Sequence, residues 1–594
     1  MDFYGFYTGK EFEAYEYLGA HVQKDGVVFR TFAPSAKEIS VIGEFSAWKE
    51  IPMKKVYDGN FWECCVKEAK PGDMYKYRIT GANGRTLDHC DPYGYGMELR
   101  PHTASIVRDL STYRFKDEKW MQERTAGKDK PLNIYEVHLG SWKKKTGEED
   151  GWYSYSEIAE LLVPYLKEYH YQYVEVLPLS EHPSDESWGY QNTGFFSPTS
   201  RYGTAQELMK FVDVCHKAGI GVIMDFVPVH FAVDDYALWQ YDGTALYEYP
   251  HVDVGRSEWG SCNFMHSRGE VRSFLQSAAH YWLSKYHFDG LRMDAVNNLI
   301  YWQGDAKRGE NKNGIQFLQG LNQGLKQRFP SAILAAEDSS SFEKVTAGVE
   351  YGGLGFDYKW DMGWMNDTLE YFKEDTGRRI GDYHKLTFSM QYFYNESYLL
   401  PLSHDEVVHG KATIFQKMNG QYEQKFPQAR ALYLYMFAHP GKKLNFMGNE
   451  FAQVREWDEK REQDWMLLEY PNHDSFHAFM KKLNQVYEKN PALYERDYER
   501  DGFQWVDCAQ KSLCVYAFER KSDNQRILAV FNFSDTRKPY EVTLSGTQKL
   551  KFLLATDMDI YGGDREYKKK TISGKDGVFQ LELSAFSGQM YEIR

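Results

Sequence analysis

Cysteine is scarce in this chain. There are seven in 594 residues, an odd number and scattered, with Cys64 and Cys65 adjacent. That excludes a disulfide framework and leaves no zinc-ligand spacing, so a reduced, cytoplasmic protein is expected. No apolar run is long enough to span a bilayer. The N-terminal stretch MDFYGFYTGKEFEAYEYLGA lacks a basic start followed by an apolar run, so no signal peptide is expected either. Positive charge is in deficit, with 71 Lys and Arg against 85 Asp and Glu and a net charge of -14. Such a surface attracts neither nucleic acid nor an anionic membrane. A Gly-rich phosphate loop is missing after the first strand of the central region, which weighs against nucleotide binding.

Aromatic rings, by contrast, are plentiful, with 45 Tyr, 37 Phe and 15 Trp. Flat rings stack on sugar faces, although any single ring is more often core. The length calls for two to four domains, and the texture changes twice along it. Residues 1–110 read as an all-β module, with GVVFRTFAP and EISVIGEF punctuated by Pro34, Gly43, Gly59 and Gly72. Residues 111–131 are charged, end at Pro131, and read as a linker. Over 132–490 strands alternate with helices: NIYEVHLG, the helical run YSEIAELLVPYLKEY, YVEVLPL, a helix capped by Thr204 with Glu207 and stopped at Gly219, IGVIMDFVPVHF, GLRMDAV and SAILAAED. That alternation predicts a parallel sheet, and its length favours a (β/α)8 barrel over an open sheet. From 491 to 594 alternating strands return, as in SLCVYAFER and RILAVFNFS, and predict a β-sandwich. The fold class is thus multidomain α/β, a central barrel flanked by two β-sandwiches.

Chemistry on a barrel sits at the carboxyl ends of its strands. The polar residues collected there are Asp225 and His230, Arg292 and Asp294, Glu337 and Asp338, and His404 and Asp405. Arg292 and Asp294 are two residues apart and so share one strand face. A fixed cation beside Asp294 keeps it ionised, the state a carboxylate nucleophile needs. Each residue alone also suits an N-cap, a surface acid or a structural ion pair. Clustered acids suggest a metal site or glycosidic chemistry, and Arg292 argues against a metal. Glycosidic chemistry needs one ionised carboxylate and one protonated acid, for which Glu337, crowded by acids, is the candidate. A separation of about 5–5.5 Å between the two would imply retention through a covalent intermediate.

These segments resemble a known family. DFVPVHF (225–231), GLRMDAV (290–296), AEDSS (336–340) and LSHDE (402–406) are similar to the four signature regions of the alpha-amylase superfamily, glycoside hydrolase family 13. NIYEVHLGSW (133–142), WGYQNTGFFSPTSRYGT (188–204), GGLGFDYKW (352–360), PLSHDEVVHGK (401–411) and FAHPGKKLNFMGNEFAQ (437–453) resemble its branching-enzyme subfamily. VIGEFSAW (41–48) and DPYGYGMELRP (91–101) are similar to the carbohydrate-binding β-module that precedes such barrels.

The resemblance implies that Asp294 is the nucleophile, Glu337 the general acid and then base, and Asp405 the stabiliser of the transition state. His230 and His404 would hydrogen-bond the sugar, Tyr190 would stack under it, Arg292 would orient the nucleophile, and Asp225 would support that network. The implied reaction cuts an α-1,4 bond of a linear glucan or glycogen and transfers the chain to a 6-hydroxyl, without cofactor or metal, in a monomer. Val229 stands where calcium-binding relatives carry Asn, so no calcium is implied. Asp338, Met265 with His266, and KATIFQK (411–417) depart from the common pattern and bear on chain-length preference. A hydrolase of the same superfamily is the nearest alternative, and a non-catalytic glycogen-binding protein a more distant one. Trp48 and Trp62 are candidates for sugar stacking in the first module, with core packing the competing role.

Overall fold

The computed structural model describes residues 1–146 and 150–594. It divides into two compact units. The first comprises Met1–Ala126, His138–Val163 and Glu175–Asp357, and the second Gly127–Val137, Pro164–Val174 and Tyr358–Arg594.

Eight strands close into a barrel in sequence order: β1 (Asn133–Val137), β2 (Tyr173–Val176), β3 (Gly221–Phe226), β4 (Gly290–Met293), β5 (Ile333–Ala336), β6 (Tyr358–Trp360), β7 (Tyr398–Leu402) and β8 (Lys442–Phe446). Nearly every residue in them is buried, which explains why they read as continuous apolar runs rather than alternating ones. The pairings within each unit are parallel, β3 with β4 and β4 with β5 in the first, β6 with β7 and β7 with β8 in the second. The register of β3 on β4 sets Asp225 directly beside Arg292.

Helices follow the strands where the apolar period predicts them. Helix α1 spans Tyr155–Glu168 and α2 spans Ala205–Lys217. The Thr204 side chain accepts from Glu207 N while Glu207 reaches back to Thr204 N, the reciprocal capping predicted from sequence. Helix α2 ends at Gly219, whose φ of +78° suits a residue without a Cβ. Helix α3 (Gly269–Lys285) buries Val271, Phe274, Leu275, Ala278 and Trp282.

The N-terminal block folds as two antiparallel sheets. Phe29 of one meets Tyr75 of the other with ring centroids 4.9 Å apart. Trp62 is core: it is buried and its Nε1 donates to Ala33 O at 3.0 Å, which removes it as a stacking candidate. Trp48 stays on the surface, in the left-handed region at φ +62°. The segment 111–131 is more than a bare connection. It carries a short helix, Glu118–Glu123, whose Trp120 Nε1 donates to Asp289 Oδ1 at 2.8 Å. Asp117 and Arg124 there are bound to the buried His216 and Asp289 rather than solvated, and composition alone cannot distinguish the two. At the C-terminus a six-stranded and a two-stranded sheet share a core of Val515, Leu528, Val530, Val542, Phe579 and Leu581.

Candidate active site

Sequence and backbone place each candidate at a strand end. Asp225 is the penultimate residue of β3, Asp294 directly follows β4, Glu337 directly follows β5, and His404 and Asp405 follow β7. In the first unit the centre is the fully buried Arg292. Its Nη1 donates to Asp225 Oδ1 and Oδ2 at 2.7 and 2.8 Å and to Asp294 Oδ1 at 2.8 Å. Its Nη2 lies 3.8 Å from Glu337 Oε2. Burial works against the guanidinium charge, but the fields of Asp225, Tyr190, Asp294 and Glu337 outweigh it and raise the pKa well above its ordinary value. Asp294 therefore faces a permanent cation, as the two-residue spacing predicts. Asp225 joins the same network: it takes two bonds from Arg292 and one from the Tyr190 hydroxyl. Arg292 Cζ stands 5.9 Å from the Tyr190 ring centroid.

Glu337 is held from the backbone as well. Its Oε2 accepts the backbone N–H of Ala295 at 2.7 Å, on the side where Arg292 also stands. The Ala295 amide and the Arg292 guanidinium each stabilise negative charge on it. Ala295 adopts φ +49°, a conformation an alanine enters only at a cost. The turn between nucleophile candidate and helix holds it there, with its N–H on Glu337. Neither residue type nor spacing signals this contact.

His230 opens a two-residue strand, His230–Phe231, that pairs with Cys262–Asn263. It is buried and its Nδ1 has no hydrogen-bond partner among the described residues. Burial alone lowers its pKa to about 4, so the imidazole is neutral throughout the physiological range. His266, one of the departures, is structural: it is buried and its Nε2 bonds Pro228 O at 2.9 Å.

In the second unit His404 is held by Glu136, a residue that sequence reading passed over. Glu136 accepts from His404 N at 2.9 Å and from His404 Nδ1 at 2.5 Å. It is the one charged residue in the entirely buried strand β1, and that anomaly was a usable signal. His404 Nε2 lies 3.3 Å from Asp405 Oδ1, and the Asp405 side chain is 43% exposed. Not every strand-end acid belongs with these. Asp361, after β6, accepts Trp364 N at 2.8 Å and caps the helix Met362–Lys373.

Three domain families match the chain. They are carbohydrate-binding module 48 (isoamylase N-terminal domain) over residues 17–94, the alpha amylase catalytic domain over 143–238, and the alpha amylase C-terminal all-beta domain over 505–594. The 1,4-alpha-glucan branching enzyme of Fusobacterium nucleatum subsp. nucleatum is 45% identical, with 98% of this chain and 97% of that one aligned. The chain belongs to the 1,4-alpha-glucan branching enzyme family. Another member, from Bacillus subtilis (strain 168), is 41% identical over 97% of this chain and 94% of its own length. Among solved structures, pullulanase from Bacillus acidopullulyticus matches with a TM-score of 0.75 at 17% identity, covering 97% of this chain and 74% of that one. At that identity it speaks for the fold alone. In branching-enzyme terms the carbohydrate-binding module match falls on the N-terminal sheets, with Trp48 inside it.

Proposed function

We propose that this chain breaks an α-1,4 bond of a linear glucan and joins the released chain to a 6-hydroxyl of glucan or glycogen. The observation that carries the mechanism is the buried Arg292, which bonds Asp225 and Asp294 at once while standing close to Glu337. One cation serving three carboxylates keeps Asp294 anionic and aimed, and places the second carboxylate within reach of the same centre.

In the first half-reaction Asp294 attacks C1 of the glucosyl unit. The C1–O4 bond breaks and Glu337, entering protonated, gives its proton to the departing O4. In the second, the ionised Glu337 takes the proton of a 6-hydroxyl. O6 attacks C1 and the ester to Asp294 breaks, giving net retention. The Ala295 N–H and Arg292 favour the Glu337 carboxylate that this second step requires. Asp405 is proposed to bind the sugar hydroxyls and stabilise positive charge developing on the ring. His230 and His404 are each proposed to hydrogen-bond glucan, and Tyr190 to stack on it. His230 suits that task because a neutral imidazole can donate or accept without placing a cation near the developing positive charge.

The purified protein incubated with linear amylose tests the reading. Total reducing ends should stay constant while the ends released by a subsequent debranching treatment rise. Rising reducing ends without new branches would mean hydrolysis on the same scaffold.

A further inference from the structure

A half-exposed tryptophan stands against His230 on a loop built to hold it. Trp259 has 46% of its surface exposed, and its ring centroid lies 5.3 Å from that of His230 at a tilt of 38°. The tip closes on itself: Ser257 N donates to Ser261 O at 2.9 Å, Gly260 N to Ser257 O at 3.1 Å and Trp259 N to Ser257 Oγ at 3.2 Å. The next residues, Cys262 and Asn263, pair with Phe231 and His230, so the loop and the histidine share one strand pair. Gln191, which follows Tyr190, donates from Nε2 to Trp259 O at 3.1 Å. On the far side Gln303, past the end of β4, donates to Asp253 O at 2.8 Å and Arg256 O at 2.6 Å. A large ring left half in water, on a loop tied down by Gln191 at its tip and Gln303 at its base, is arranged for something other than packing.

We infer that Trp259 is a stacking residue that covers the glucosyl unit held at His230 and selects a glucan hydroxyl over water as acceptor, an inference resting on the branching reading above. The two outcomes balance identically. With either acceptor the C1–Oδ bond to Asp294 breaks, a C1–O bond forms, and the acceptor's proton goes to Glu337. With O6 the product is a branch, with water a new reducing end. Chemistry does not separate them, so occupancy of the cleft must. An apolar indole face attracts the C–H face of a pyranose ring and displaces water.

The test measures, on linear amylose, the ratio of new reducing ends to new branches. Trp259→Ala should raise that ratio about tenfold and raise KM for amylose, while Trp259→Phe should stay within about threefold of the parent chain. Loosening the loop, with Gln191→Ala, should raise the ratio in the same direction as Trp259→Ala but by less. If thermal melting shows Trp259→Ala unfolded, Trp259→Leu replaces it with the same expectation. An unchanged ratio in Trp259→Ala, or an equal rise in Trp259→Phe, with a parent chain that branches, would overturn this inference alone. A parent chain that releases reducing ends without branches would overturn the branching reading and this inference with it.

Discussion

The two ends of β4 carry an aspartate each, and they are bound in opposite ways. Asp289 precedes the strand and is 1% exposed. It accepts from Val222 N at 2.7 Å, His216 Nε2 at 2.8 Å, Trp120 Nε1 at 2.8 Å and Arg124 Nη1 at 3.0 Å. Asp294 follows the strand, keeps 17% of its side chain exposed, and is bonded by Arg292 through Oδ1. Both are aspartates beside an arginine in a buried setting. What separates them is exposure, 1% for Asp289 against 17% for the Asp294 side chain. A carboxylate enclosed by four donors is a structural tie, whereas one oriented by a cation and still open to solvent can meet a substrate.

The sharpest way to break the comparison is to neutralise both. Asp294→Asn should lower branching turnover by on the order of 10^4-fold while moving the melting temperature by only about 2 °C. Asp289→Ala should do the reverse. It strands Arg124 and His216 and should destabilise the chain by about 3–5 kcal/mol in denaturant titration. In buffer where the variant is folded, its kcat should stay within about threefold of the parent value. If Asp289→Ala abolished turnover without loss of stability, the division of labour along β4 would be wrong.

Tyr190→Phe should have a smaller effect. It removes the hydroxyl bond to Asp225 but keeps the ring, so kcat should fall by about tenfold with little change in KM, read from initial rates. Smallest is a pH effect at the Asp289 end of β4. Burial disfavours charge on His216, but Asp289 and Asp117 at its two ring nitrogens outweigh that and raise its pKa. Its contribution to stability is therefore complete below the unfolded value near about 6.5 and is lost as pH rises through the raised folded value. Burial would raise Asp289 too, but the fields of His216 and Arg124 hold it below the usual carboxylate range. That part is complete above about 3.9 and is lost as pH falls through the lowered value. Melting between pH 6 and 9 should show a decline on the order of 2 °C that His216→Gln removes. A decline of equal size in the variant would assign it elsewhere.

Much of this was legible from residues, because the strands are long apolar runs and the helix boundaries carry their own chemistry, as Thr204, Glu207 and Gly219 illustrate. Arg292 and Asp294 were legible because strand alternation is rigid over two residues. What escaped was long-range. Glu136 reaches His404 across 268 residues of chain, and Trp120 reaches Asp289 across 169. No local period encodes such pairs. The Ala295 contact on Glu337 escaped for a related reason. The donor there is the Ala295 amide, turned by a left-handed φ, and a backbone N–H has no signature in side-chain chemistry.

The central claim is that the aspartate at the open end of β4 forms a covalent ester with the sugar. Glu337→Gln, which lacks the base for the second half-reaction, incubated with an activated α-glucosyl or maltosyl fluoride, should accumulate that ester. Peptide mass spectrometry of the quenched, digested protein should place one glycosyl unit on the fragment containing Asp294. Absence of an adduct under conditions where fluoride is released, or an adduct on a peptide without Asp294, would contradict the account.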